Sequence, residues 1–404
     1  TGLTGFTLGL WFLQQTKSAT QYSLIQFAVI APVVLFAPIV GIIIDKASRK
    51  VTLLLGHIGA GLCSVTVILL FTTDNMLFPI ILILVMTSAI FNFLTQQSFI
   101  ATTILLVPKE QLGRSSGLNS LMSQVSNFFM PPVAAFLLAI IGLKGVLTID
   151  VSTFLIAITV ISFLRIPKVD KTINADENKE KPSLRSELVF GWSFLKKNKD
   201  LLALLIINSI TIFLVAMNIV LFAPLIISFS NLKAMGTVLL FAGIGGVSGS
   251  FIMAAWGGPK KKIHGVLMGT IVAGIVFMLI GAFQSIVVIS AAICVVMIFN
   301  SILEGSGLVL WQKRIPVELQ GKVITFVRMV ATGLAPIAYL IAGPLADKVF
   351  NPLMMKNGLL ADILGPYIGV GQGRGVGLMF MINGLLIMIV MVLGYFIAVL
   401  HKIE

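Results

Sequence analysis

The chain has 404 residues, 58% of them hydrophobic and 11% charged, with a mean hydropathy of +1.07. That much apolar surface excludes a water-soluble enzyme or binding domain and identifies an integral membrane protein. A formal net charge of +13 would suggest a nucleic-acid partner in a soluble protein, but here Lys and Arg gather in connections between apolar runs, so orientation in a membrane explains them better.

Residues 1–13 are apolar but shorter than the ~20 a crossing requires, so helix 1 is expected to be truncated. With no basic n-region and no small-residue cleavage site, the segment does not read as a signal peptide. Helix 2 lies within 21–44, helix 3 within 51–71 and helix 4 near 76–107. Helix 5 follows the polar connection 108–114 and contains Pro131-Pro132, expected to kink or break it. Helix 6 is placed near 146–163. Residues 165–200 carry nine basic and six acidic side chains, too polar to span and too few for a core. They read as a cytoplasmic linker whose part 184–195 is either a helix on the membrane surface or a solvated connector. Helices 7 to 12 fall near 201–228, 234–256, 265–282, 285–310, 323–345 and 376–400. The expected fold is all-α, with 12 transmembrane helices in two six-helix bundles, 1–164 and 201–404.

An ungapped shift of 208 residues superposes Ile90-Phe91-Asn92 on Ile298-Phe299-Asn300, and also Pro108–Arg114 on Pro316–Lys322 as P-x-E-x-x-G-[RK] or its close variant. Two blocks at one offset argue that the halves are duplicates. On the side of the turns after helices 2, 4, 8 and 10, the linker and the tail, basic residues number 21 against six in the opposite loops, which predicts that both termini are cytoplasmic.

The turn between helices 2 and 3 is Gly41-Ile42-Ile43-Ile44-Asp45-Lys46-Ala47-Ser48-Arg49-Lys50. Asp45 follows a helix C-terminus, where the macrodipole disfavours a carboxylate, so it requires a cation or another helix N-terminus. Gly41 permits close backbone approach, and Lys46, Arg49 and Lys50 hold the turn at the cytoplasmic face. The pattern resembles the G-x-x-x-D-[RK]-x-G-[RK]-[RK] signature of the major facilitator superfamily, departing where Ser48 replaces Gly. The resemblance implies that this turn is a cytoplasmic latch remade during alternating access.

Polar groups inside the spans are few, and a mid-bilayer charge costs about 2.5–3.5 kcal/mol on insertion scales, so such groups face a cavity or a partner. Glu304 and Arg328 lie at comparable depth in helices 10 and 11 and are expected to be neighbours, as a structural pair or a proton- or substrate-sensing one. Asn300 and Glu304 share a helix face, as do Asn92 and Gln96 at repeat-equivalent positions, and Gln97 adds another polar group. Helices 1, 4, 7 and 10 line the cavity in the resembled family, which makes these residues, with Asn208 and Asn218, pathway candidates. Gln124 and Asn127 are weaker ones, and interhelical hydrogen bonding competes as the role of every Asn and Gln. Asp150, near the outer end of helix 6, is expected at head-group level, in preference to the role of a proton carrier. His57, His264 and His401 form no ligand spacing, so no metal is expected. Gly369–Gly375 lacks the strand-turn-helix context and the Lys-[Ser/Thr] of a P-loop, so no nucleotide cofactor is expected either.

Gly343-Pro344-Leu345-Ala346-Asp347-Lys348-Val349-Phe350, the glycine-rich loop and Pro108–Gly117 are similar to the bacterial macrolide-efflux and siderophore-exporter branch, and to permeases accompanying nonribosomal peptide synthetases. That resemblance implies a monomeric transporter of the bacterial inner membrane that exports a bulky amphiphilic compound, a drug, peptide metabolite or siderophore, in exchange for protons. Helix 5 reads Ser126-Asn127-Phe128-Phe129-Met130-Pro131-Pro132, unlike the Gly-rich motif of many drug antiporters. The alternatives are a lipid or lysophospholipid flippase or a solute importer, and, further off, a non-transport enzyme or scaffold, for which no Ser-His, paired-Asp or H-E-x-x-H constellation is present.

Overall fold

The computed structural model describes residues 2–108, 111–164 and 184–396. They form helices α1 (Gly2–Thr16), α2 (Ala19–Lys46), α3 (Arg49–Thr72), α4 (Phe78–Leu106), α5 (Leu112–Phe163), α6 (Leu184–Lys197), α7 (Lys199–Phe229), α8 (Leu232–Trp256), α9 (Lys262–Ala282), α10 (Ile286–Arg314), α11 (Val317–Thr332) and α12 (Leu334–Leu345). A π-turn (Ala346–Phe350), the short α13 (Asn351–Met354) and α14 (Ala361–Ile368), and α15 (Arg374–Phe396) complete the order. The fold is all-α.

Ten of these segments are long and apolar enough to cross a membrane. Helices are the expected solution there, because each satisfies its own backbone hydrogen bonds where water is absent. α5 is compound. Its backbone leaves helical geometry at Gly142 (φ 67°, ψ 179°), a left-handed value that glycine adopts freely, and each arm is long enough to span. Of the kink or break expected at Pro131-Pro132, the break is corrected: both prolines lie inside the first arm and the turn falls ten residues later. α11 and α12, joined at Gly333, belong to one of the ten.

The described residues divide into two compact units. The first comprises 2–16 and 21–164; the second comprises Lys17–Thr20 and 184–396. In the first, α3 packs on α4 and α5, and α1 on α5. In the second, α10 packs on α8 and α9, and α15 on α9 and α7. Of the linker, 165–183 lies outside the described residues. The rest is α6, which docks in the second unit: Leu195 is fully buried with Leu201, Leu205, Trp311 and Phe326, while Val189 and Trp192 stay exposed.

The duplicated Ile-Phe-Asn blocks occupy like positions. A Cβ on Gly56 of α3 would lie 2.9 Å from the Phe91 carbonyl oxygen, and one on Gly269 of α9 would lie 3.2 Å from that of Phe299. In each unit a glycine lets the preceding helix ride on the same turn of the repeated block.

Candidate transport pathway and its polar groups

The turn between α2 and α3 is built of helix caps. Ser48 has φ −69° and ψ 141°, an extended conformation open to any residue, and its Oγ accepts from Val51 N at 3.4 Å as the N-cap of α3. Serine is thus functional where the family signature has glycine. Arg49 donates to Ile44 O at the end of α2, and Lys50 Nζ donates to Ser162 O at 2.6 Å and Leu164 O at 3.1 Å at the end of α5. Both cations sit where the macrodipole favours them. Gly41 is exposed on α2, and among the described residues no atom of another segment lies within 4 Å of where its Cβ would be. The side chains of Asp45 and Lys46, and those of Gln124 and Asn127, lie outside the described residues.

In the first unit, Asn92 and Gln97 are half-buried on α4 and Gln96 is exposed. Asn92 Nδ2 donates to Ser88 Oγ at 3.3 Å, and its buried Oδ1 has no hydrogen-bond donor among the described residues. Asn92 also lines a pocket of about 40 Å³, with Thr4 and Gly5 of α1, Val29 of α2 and Cys63 and Ser64 of α3 among its walls.

In the second unit, Asn300 Nδ2 donates to Glu304 Oε1 at 3.3 Å, and both residues are exposed, as is Arg328. The expected pairing of Glu304 with Arg328 is not made: among the described residues no ion pair joins them. Equal depth on adjacent helices says nothing about which way each side chain projects. Asn208 is half-buried. Asn218 has no exposed surface and accepts from Asn383 Nδ2 of α15 at 2.9 Å, an interhelical bond of the kind that competed with a lining role.

Asp150 overturns its placement. It is 3% exposed, and its Oδ2 accepts from Thr4 Oγ1 of α1 at 2.6 Å and from Ser64 Oγ of α3 at 2.8 Å. With α5 resuming at Leu143, Asp150 stands roughly 10 Å along that arm, and Ser64 stands roughly 12 Å from the end of α3. This is an interior carboxyl bonded to two other helices, not a head-group residue.

One long connection carries two further polar contacts. At its start, Asp347 accepts from Ser18 Oγ at 2.8 Å, Ala19 N at 3.3 Å and Thr20 N at 2.8 Å, capping the first turn of α2 within the second unit. At its finish, Arg374 is 3% exposed and its Nη1 lies 3.5 Å from Gly281 O and Ala282 O at the C-terminus of α9. Gly369, Gly371 and Gly373 all have positive φ, and a Cβ on Gly369 would lie 3.3 Å from Arg374 Cδ. Gly343–Lys348 repeats the G-x-x-x-D-K spacing of Gly41–Lys46, the signal from which the Asp347 cap was readable.

The sequence profile of the Major Facilitator Superfamily matches residues 1–339. The chain belongs to that superfamily. Macrolide efflux protein A of Streptococcus pyogenes is 26% identical over 349 residues, 84% of each chain. Macrolide efflux protein A of Enterococcus faecalis is 26% identical over 76% of this chain and 95% of its own. A mutant of the nucleoside transporter NupG superposes with a TM-score of 0.72 at 12% identity, covering 97% of this chain and 96% of that one. A bacterial homologue of the lysosomal transporter Spinster gives 0.69 at 13% identity, covering 100% and 95%. These structures establish the fold. This facilitator is a multi-pass membrane transporter of small molecules and not an enzyme.

Proposed function

We propose that this facilitator exports a bulky amphiphilic compound, such as a macrolide, a peptide metabolite or a siderophore, by alternating access coupled to inward proton movement. In that reading it is a monomer in the bacterial inner membrane with both termini cytoplasmic, and it confers resistance to antibiotics it accepts. The observation that carries the proposal is similarity to macrolide efflux proteins over 84% of the chain. The sparse polar set fits such cargo: Asn92, Gln96 and Gln97 on α4, Asn208 on α7, and Asn300 with Glu304 on α10 give a largely apolar substrate a few orienting hydrogen bonds. Glu304 is the carboxylate of that set able to exchange a proton with the pathway.

The test is transport into liposomes of purified protein under an imposed pH gradient, comparing a macrolide, a cyclic peptide and a siderophore for wild type and Glu304→Gln. Gradient-driven accumulation of one of them, reduced in the variant, is the expected result. Scrambling of labelled lysophospholipid with no movement of these compounds would replace export with lipid flipping.

A further inference from the structure

Asp150 takes no part in the pathway described above, yet it is a carboxyl held in the interior of the first unit by hydroxyls from two other helices. Those same two residues, Thr4 and Ser64, line the pocket that also holds Ser88 and Asn92. At about 40 Å³ the pocket has room for two or three waters, and Thr4, Ser64, Ser88 and Asn92 supply polar groups in an otherwise apolar wall. Thr4 and Ser64 therefore touch both the carboxyl and this space.

We propose that Asp150 is a proton-binding residue of the transport cycle, loaded from this pocket through the Thr4 and Ser64 hydroxyls. Each hydroxyl already directs its hydrogen at Oδ2. Loading transfers that hydrogen to the carboxylate while the hydroxyl oxygen takes one from a hydronium in the pocket, leaving water there and a neutral carboxylic acid on α5. Unloading reverses both transfers. Neutralising the carboxylate turns the two charge-assisted bonds that α1 and α3 donate into neutral ones, so protonation weakens the hold of both helices on α5 together. A charge-assisted bond is roughly twice as strong as a neutral one, which gives the proton leverage over the packing of three helices.

Among the described residues, other ionisable groups facing this region are few. α1 contributes none. α3 contributes Cys63, beside Ser64, and His57, whose ring lies 6.0 Å from that of Phe154, with Arg49 and Lys50 at its start. On α5 itself Lys144 lies six residues before Asp150 on the same arm, and Arg114 precedes the Gly142 turn.

The inference rests on proton-coupled export. Its test uses the full-length protein in liposomes with erythromycin as probe, and measures three things: accumulation driven by a pH gradient, erythromycin exchange without a gradient, and the protonated-carboxyl infrared band during a pH titration. For Asp150→Asn the expected result is loss of gradient-driven accumulation, retained exchange, and loss of one carboxyl component from the titration. Asp150→Glu, which keeps the acid but moves it, is expected to retain coupling with a displaced pH profile, and it serves if the Asn variant does not fold. Accumulation in Asp150→Asn equal to wild type, or an Asp150→Glu pH profile identical to wild type, overturns the role of Asp150 while leaving antiport intact. Wild-type protein that ignores the gradient overturns the antiport reading and this inference with it.

Discussion

The two units hold their helices together by different chemistry. Inside a bilayer, lipid tails are as apolar as leucine, so helices associate through close packing and hydrogen bonds, not through the hydrophobic effect. The second unit uses backbone contact. On α9, Gly274 and Gly281 are two turns apart, and they face Gly384 and Gly377 of α15, also two turns apart: a Cβ on Gly377 would lie 2.6 Å from Gly281 O, and one on Gly274 2.8 Å from Gly384 O. On α8, Gly245 and Gly249 form a G-x-x-x-G face against α10, where a Cβ on Gly249 would lie 2.7 Å from the Ile298 carbonyl, and Ser301 Oγ donates across the seam to Gly246 O at 3.2 Å. The first unit has a glycine contact at Gly56 too, but its α1, α3 and α5 meet at one carboxyl. A glycine seam has no titratable part. A carboxyl hub carries an ionisable group within the helix packing itself, which a glycine seam does not.

That contrast can be broken most forcefully at the seam. Gly281→Leu forces α9 off the α15 backbone, with an expected loss of about 3 kcal/mol or more, read as a lowered unfolding midpoint in detergent. Next comes the hub: Asp150→Ala strips two buried hydroxyls of their acceptor and is expected to cost about 2–3 kcal/mol by the same measurement. A midpoint unchanged by Asp150→Ala would mean that the first unit is held by packing alone. Asn383→Ala, which removes the single bond to Asn218, should cost about 1 kcal/mol. Smallest are Glu304→Gln and Gly41→Ala, at exposed positions with one weak partner and none, where the midpoint should stay within about 0.5 kcal/mol of wild type. For Glu304→Gln, a stable protein with impaired transport is the informative outcome, since it separates a pathway carboxylate from a structural one.

The number and order of the crossings were legible because apolar runs of this length have no alternative in water, and the duplication was legible because two blocks share one offset. The site was less so. Asp150 reads as a head-group residue when helix 6 is begun at 146, and the Gly142 turn that moves the start to Leu143 is overshadowed in sequence by Pro131-Pro132. Its donors are 146 and 86 residues away, a proximity that only the folded chain creates. Expecting Glu304 beside Arg328 used depth without azimuth, and depth alone does not make the ion pair that is missing among the described residues. Asn218 was found as polar but not as the partner of Asn383, because one Asn in a span does not name its mate.

The connection from Asp347 to Arg374 has a practical use. Its two ends are fastened to helix termini of opposite polarity, whereas Met355, Lys356 and Asn357 between them are exposed and Asn357 adopts φ 70°. A small epitope inserted at this tip would leave both fastenings intact. Antibody access to it in intact cells, compared with opened ones, would read directly which face of the membrane the tip occupies.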